Sequence, residues 1–172
     1  CNEQHIKANE ACMISALPNA AKAINYVFSN GTDSVTGKKL GTETGDITSF
    51  KTFDEFYGAF LKQFAYMIDT CITIAKAREK HVGDINPSVL LSAITPNSLK
   101  TMKDAYAFGV KYPTSAILLC SFATAVDSLL AVKELVYDTK QISLEELKSA
   151  LDNNWEGYES LRQKALNVTH KY

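Results

Sequence analysis

The sequence predicts a mostly α-helical segment, on three observations. Residues 53–75 carry an apolar stripe at helical spacing that runs from Phe53 through Phe60, Phe64 and Ile68 to Ala75. Two capping boxes, Thr52 to Glu55 and Ser143 to Glu146, each precede an apolar-periodic run. Two further starts, Asn86-Pro87 and Thr95-Pro96, pair a capping residue with a proline suited to a first helical turn.

Taken in order, residues 1–16 mix polar types without a clean period. They predict a loop that enters a core at Met13-Ile14. Leu17-Pro18 opens a helix whose apolar face includes Ala20, Ile24, Val27 and Phe28, and Asn30-Gly31 ends it. Residues 31–50, with Gly31, Gly37, Gly41 and Gly45, read as a long surface connection with a turn at Gly45-Asp46. Gly37-Lys38-Lys39 lacks the Lys-Ser/Thr ending of a phosphate-binding loop, which argues against a nucleotide. The longest helix follows from Thr52 to about Val82, with Lys76, Arg78, Lys80 and His81 suited to its negative end.

Short helices are predicted over Pro87–Ala93 and Pro96–Phe108, then a connection at Gly109–Pro113. The apolar run Ile117–Phe122 fits either a buried strand or the front of a buried helix. From about Ala125 to Tyr137 the chain is helical, and apolar residues so widely spread predict enclosure on most sides. The second capping box starts a helix that ends near Asn153-Asn154, and a last helix spans Tyr158–Leu166 with Trp155 and Tyr158 as packing anchors.

A chain of 172 residues is long enough to bury a sizeable core. Its apolar fraction of 46% and charged fraction of 22% are ordinary for a globular protein. A formal net charge of −1 gives no basic footprint for nucleic acid. The most apolar stretch, 116–136, is interrupted by Asp127, Lys133 and Glu134, which argues against a membrane span. Four cysteines, Cys1, Cys12, Cys71 and Cys120, match neither zinc-ligand nor disulfide-framework spacing and suggest a reducing, intracellular setting. Cys12, Cys71 and Cys120 sit among apolar neighbours and read as inert buried thiols. His81 has no second His or Cys nearby, so no metal site is expected there. Asp127 on its apolar helix needs a partner or a capping role.

Cys1 and Glu3 place a thiol and a carboxylate two positions apart, a potential reactive pair. Taken alone, they read equally as a terminal thiol, or the lipid-attachment Cys of a lipoprotein, beside a solvated carboxylate. His5, Lys7 and Glu10 are near them by sequence only.

Three blocks resemble the pyruvate formate-lyase-like glycyl radical enzymes. Phe122–Tyr137, with Ala123-Thr124 and Asp127-Ser128-Leu129 followed by Ala131-Val132-Lys133, is similar to the family's A-T-x-x-D-S-L-x-A-I-K-K-L-V segment. Asn154-Trp155-Glu156-Gly157-Tyr158-Glu159 and His170-Lys171-Tyr172 resemble its N-x-x-G-Y-E-x-L-R and P-K-Y-G-N patterns. Ala20–Ile24 with Asn30-Gly31 and the following Thr36-Gly37 and Gly45-Asp46 resemble its K-A-L-x-x-x-L-N-x-G helix and loop. Cys120-Ser121-Phe122 departs from the family in lacking a glycine common there.

The resemblance implies the family's fold and chemistry. Residues 1–172 would be an internal segment of a ten-stranded α/β barrel: 1–16 its Cys-x-Glu active-site loop, 17–172 mainly outer helices with one or two strands. The C-terminal glycyl radical domain would lie outside this chain, so the segment alone would be inactive. Cys1 would carry the thiyl radical that takes hydrogen from a small substrate, and Glu3 would be the general base. No cofactor is bound in this segment. The glycyl radical would be installed by a radical S-adenosylmethionine activating enzyme, in an anaerobic cytoplasm, on a likewise full-length homodimer. The type would be a lyase, dehydratase or formate C-acetyltransferase. Pyruvate formate-lyase proper lacks the Glu of this loop, so Glu3 favours the dehydratase, decarboxylase or C–X lyase branch. The competing reading is a non-enzymatic helical scaffold or lipoprotein, which requires nothing of Cys1 or Glu3 beyond lipidation.

Overall fold

A computed structural model describes residues 10–168, with side-chain surroundings from Met13 onward. The described chain is mostly helical with one small sheet. It forms two compact units, and each has its own internal logic.

The first unit comprises residues 10–18 and 68–119. Its sheet pairs β1 (Glu10–Ala16) in parallel with β2 (Tyr112–Ile117), in register from Glu10 opposite Tyr112 to Ile14 opposite Ala116, with an irregularity before Ala16 opposite Ile117. A parallel pair needs a crossover, and the intervening chain supplies helices. One of these is the C-terminal part of α2 (Phe53–Ile85), where Arg78 Nη1 donates to the Ile14 carbonyl on β1 at 3.0 Å. Residues 10–16, expected as loop, are therefore a strand from Glu10 onward, because β2 supplies a ladder partner from far along the chain.

After α2 come α3 (Val89–Ile94) and α4 (Pro96–Thr101). Contrary to the expectation from Asn86-Pro87, Asn86 does not cap a helix. Its N–H still donates to Val82 O at 2.8 Å, and α3 begins after Ser88. The reason is Asp104, whose Oδ2 accepts from Ser88 N at 2.6 Å and from Ser92 Oγ at 3.0 Å. A carboxylate from a later segment does the capping. Nor does a helix run from Pro96 to Phe108: Met102 sits at φ 55°, which ends α4, and the turn at Ala105–Gly109 is broken by Phe108 at φ 62°. Gly109 is required here, since a Cβ would lie 2.3 Å from the Lys103 carbonyl.

The second unit comprises residues 19–67 and 120–168. Its α1 (Ala20–Phe28) begins at Ala20 rather than Leu17, because residue 19 is still extended and bridged to Cys120. Asn19 Oδ1 then caps the helix, accepting from Ala21 N at 3.0 Å. Gly31, at φ 82°, closes α1 with an N–H bond to Tyr26 O at 2.7 Å.

The segment after α1 is not a plain surface connection. Gln63, fully buried on the N-terminal part of α2, holds it. The Gln63 Oε1 accepts from Thr42 N at 3.0 Å, and Nε2 donates to Thr42 O at 2.7 Å, Thr44 Oγ1 at 3.1 Å and Tyr26 O at 3.3 Å. Gly41 makes the approach possible: a Cβ there would stand 2.4 Å from Gln63 Oε1. Asn30 Oδ1 holds the far end by accepting from Thr44 N at 2.8 Å and Gly45 N at 3.0 Å.

The capping box at α2 is present as predicted. Glu55 Oε2 accepts from Thr52 N at 3.0 Å and the Thr52 hydroxyl accepts from Glu55 N at 3.3 Å. Along the same helix, Phe53, Tyr57, Phe60 and Phe64 stack in sequence at centroid distances of 5.8–5.9 Å.

The run 117–122 resolves into two states. β2 ends at Ile117, Ser121 turns at φ 57°, and α5 spans Phe122–Val132, followed by a wider helical turn at Lys133–Asp138. Only Ala125 and Val132 of α5 are buried, so it is less enclosed than expected. One flank packs on α1 while Asp127, Ser128 and Ala131 border a cavity. The last helices, α6 (Leu144–Asp152) and α7 (Glu159–Leu166), build a core of Leu135, Ala150, Leu161 and Val168. Trp155 and Tyr158 pack against that core, as predicted.

Gln63→Leu keeps the side-chain volume but strands the Thr42 N–H and carbonyl. It should lower stability by about 2–4 kcal/mol, the cost of unmaking several buried hydrogen bonds. Denaturant titration of the protein checks this, and an unchanged midpoint would mean that residues 41–45 are held by something else.

Candidate functional site

Cys1 and Glu3 lie outside the described residues, as do His5, Lys7 and the Cys12 side chain. Glu10 falls at the first position of β1. In the same unit, the space bordered by Met13, Tyr106, Phe108 and Ser115 is about 130 Å³, too small for most ligands. Cys71 and Cys120 are half-buried rather than buried, and His81 is exposed. Among the described residues, no three His, Cys, Asp or Glu side chains gather as a metal site, and no helix is long and apolar enough to cross a membrane.

The second unit holds a larger cavity, about 590 Å³, bordered by α1, α5, α6 and α7. Lys22 projects from α1 but is committed: its Nζ pairs with Asp33 at 2.5 Å and lies 5.5 Å from the Tyr26 ring centroid. Asp33 is buried, and its Oδ2 also accepts from the Thr36 hydroxyl at 2.8 Å and Thr36 N at 3.0 Å. The Lys22 bond first, then the Thr36 bonds, lower its carboxyl to about 2.

The other shifted groups follow the same logic. Backbone N–H groups of Thr52 and Lys51 lower Glu55, the Lys39 ammonium lowers Glu43, and the Thr48 hydroxyl lowers Asp46. Glu145 is lowered by its own backbone N–H and by Ser143 at the start of α6. Burial pushes the Tyr137 phenol up to about 12, with Glu55 and Glu145 adding to it. Each of these shifts holds its group in the form it already has at neutral pH. None makes a proton donor or acceptor poised near 7, as general acid–base work needs. These groups are caps and ion pairs of the fold.

Sequence reading missed Gln63, Asn30 and Asp104 as organising residues. The signal available for the first was Gly31 and Gly41, two glycines flanking a loop that a buried amide approaches closely.

Comparison with known proteins assigns the chain as a whole. The family described as pyruvate formate lyase-like matches residues 1–172. The trans-4-hydroxy-L-proline dehydratase of Clostridioides difficile is 34% identical over 172 residues, covering 100% of this chain and 22% of that protein. An isethionate sulfite-lyase of Desulfovibrio desulfuricans is 33% identical over 149 residues, 84% of this chain and 18% of that protein. The crystal structure of the C. difficile hydroxyproline dehydratase with its substrate superimposes with a TM-score of 0.84 at 35% identity, over 95% of this chain and 21% of that one. The chain therefore spans about a fifth of the length of these relatives.

The Asp33 carboxyl is lowered on folding, so its contribution is complete above the unfolded value of 3.8 and is lost as pH falls through about 2. Stability of the protein and of its Asp33→Asn variant should differ by a constant amount above about pH 4, and the gap should close toward pH 2. Unfolding midpoints measured across that range check it. A gap that persists unchanged at pH 2 would contradict the ion pair.

Proposed function

The chain belongs to the pyruvate formate lyase-like family of glycyl radical enzymes, and on that premise we propose that it is the segment of a longer enzyme that carries the catalytic Cys-x-Glu loop. The observation that carries this reading is that similarity to a dehydratase extends over all 172 residues, Cys1 and Glu3 included. The reaction class is dehydration, or a related C–X cleavage, of a small hydroxylated substrate. Its support is that relatives are dehydratases and a sulfite-lyase, together with the carboxylate two residues after the thiol.

Cys1, as a thiyl, takes a hydrogen atom from the substrate carbon bearing a hydroxyl. Glu3 accepts the hydroxyl proton as the carbon radical develops. The leaving group departs from the adjacent carbon, and Cys1 returns the hydrogen atom to the product radical. The glycine that stores the radical lies outside this chain and is charged by a separate activating enzyme that uses S-adenosylmethionine. Exclusion of water and oxygen falls to a closed ten-stranded barrel, in a homodimer working in an anaerobic cytoplasm. The parallel β1–β2 pair supports the barrel reading: parallel sheets are normally covered on both faces, and a two-stranded sheet rarely stands alone.

The test uses the full-length protein, activated without oxygen. Cys1→Ser should abolish turnover while the glycyl radical signal in electron paramagnetic resonance is still formed. Glu3→Gln should lower turnover by about 10²–10⁴-fold, the usual contribution of a positioned general base. Undiminished turnover in Cys1→Ser would end this reading and favour a segment whose helices serve only as a scaffold.

A further inference from the structure

We infer that the cavity bordered by α1, α5, α6 and α7 is a socket for a basic side chain, Arg or Lys, carried by polypeptide of the same enzyme outside these 172 residues. This rests on the reading of the chain as a segment of a longer enzyme.

Asp127 sits on α5 at the cavity wall, and its Oδ1 is closed off from solvent with no hydrogen-bond donor among the described residues. A carboxylate oxygen left without water or a donor is costly, and the cost is relieved when a cation meets the group. No polar group that borders the cavity bonds to the Asp127 Oδ1: Lys22 is held by Asp33, the Ser128 hydroxyl donates to Thr124 O at 2.7 Å, and the Asn19 and Asn25 amides and the Thr124 hydroxyl make no bond to it. Arg162 on α7 borders the same cavity, yet it is an exposed residue and makes no ion pair with Asp127.

The space itself suits a protein segment. About 590 Å³ is more than one side chain fills, and its other walls include Phe28, Val132, Leu147 and Trp155. An apolar stretch with one cation matches this lining. Most of the polypeptide of the relatives lies outside the matched region, so such a segment is at hand: the matched part is 22% of the hydroxyproline dehydratase. Since negative charge is shared over both carboxylate oxygens, a cation meeting Asp127 from the cavity side compensates the shielded oxygen as well.

The sign of a substitution tests the socket in the full-length protein. Asp127→Asn and Asp127→Leu should both lower the thermal midpoint, Leu by more, because each leaves a docked cation without its counter-charge. A crystal structure of the full-length protein should show an Arg or Lys nitrogen, from outside this segment, against the Asp127 carboxylate. If Asp127→Leu leaves the midpoint unchanged or raises it, the carboxylate was merely unpaired and the proposal fails. It also fails if that structure shows only Arg162, solvent or a small molecule there. A full-length enzyme that activates and turns over while Asp127→Leu is neutral sinks the socket alone. A natural polypeptide with nothing beyond this segment sinks the longer-enzyme reading instead.

Discussion

The second unit depends on one buried carboxamide. Gln63 satisfies both backbone groups of Thr42, the Tyr26 carbonyl and the Thr44 hydroxyl from a single side chain. Those bonds join α1, the start of α2 and the segment between them. Ile47 is buried and Phe50 packs edge-on against Phe56, but residues 31–46 carry four glycines and bury no apolar side chain, so hydrophobic packing does not fix that stretch. Polar contacts must hold it, and a buried amide with every bond made is the economical way. Gly31 and Gly41 follow from that choice, because any Cβ would displace the backbone that Gln63 reads. Lys22–Asp33 then fixes the near part of the loop and Asn30 the far part.

The first unit is organised by the parallel strand pair. Two side chains tie the chain around it: Arg78 on α2 donates to a β1 carbonyl, and Asp104 joins the start of α3 to the turn at Ala105–Gly109. Both are single polar side chains that replace what a longer sheet or a local cap would supply. Gly83 and Gly109 allow the backbone to approach closely, at Ala107 and at the Lys103 carbonyl respectively.

What could be read in advance divides along locality. The capping box at Thr52, the Ser143 N-cap, the Pro96 start, the Gly31 stop and the long stripe of α2 depend on neighbours within a few residues, and each is found where the pattern puts it; at Ser143 only the hydroxyl half of the expected box is formed, accepting from Glu146 N. The strand at Glu10–Ala16, the Ser88 start of α3 and the role of Gln63 depend on partners far along the chain, which no local period reports. The stop at Met102 is a left-handed turn at a residue type that gives no warning of one. The family was legible because each of its matching blocks is contiguous, while Cys1 and Glu3 lie outside the described residues. The shielded oxygen of Asp127 was legible only as a need for a partner, since the burial of one atom is set by packing that no local period reports.

The α3–α4 region has its own practical consequence. α3 has no buried residue, and Val89, Leu90, Ile94, Leu99 and Met102 all lie exposed. Exposed apolar side chains in this number on so short a stretch favour association in water. Anyone preparing this segment as a separate piece should therefore expect this stretch to drive self-association. A stand-alone piece would need polar residues at several of these five positions, with Asp104, which holds the start of α3 through Ser88 N, left intact.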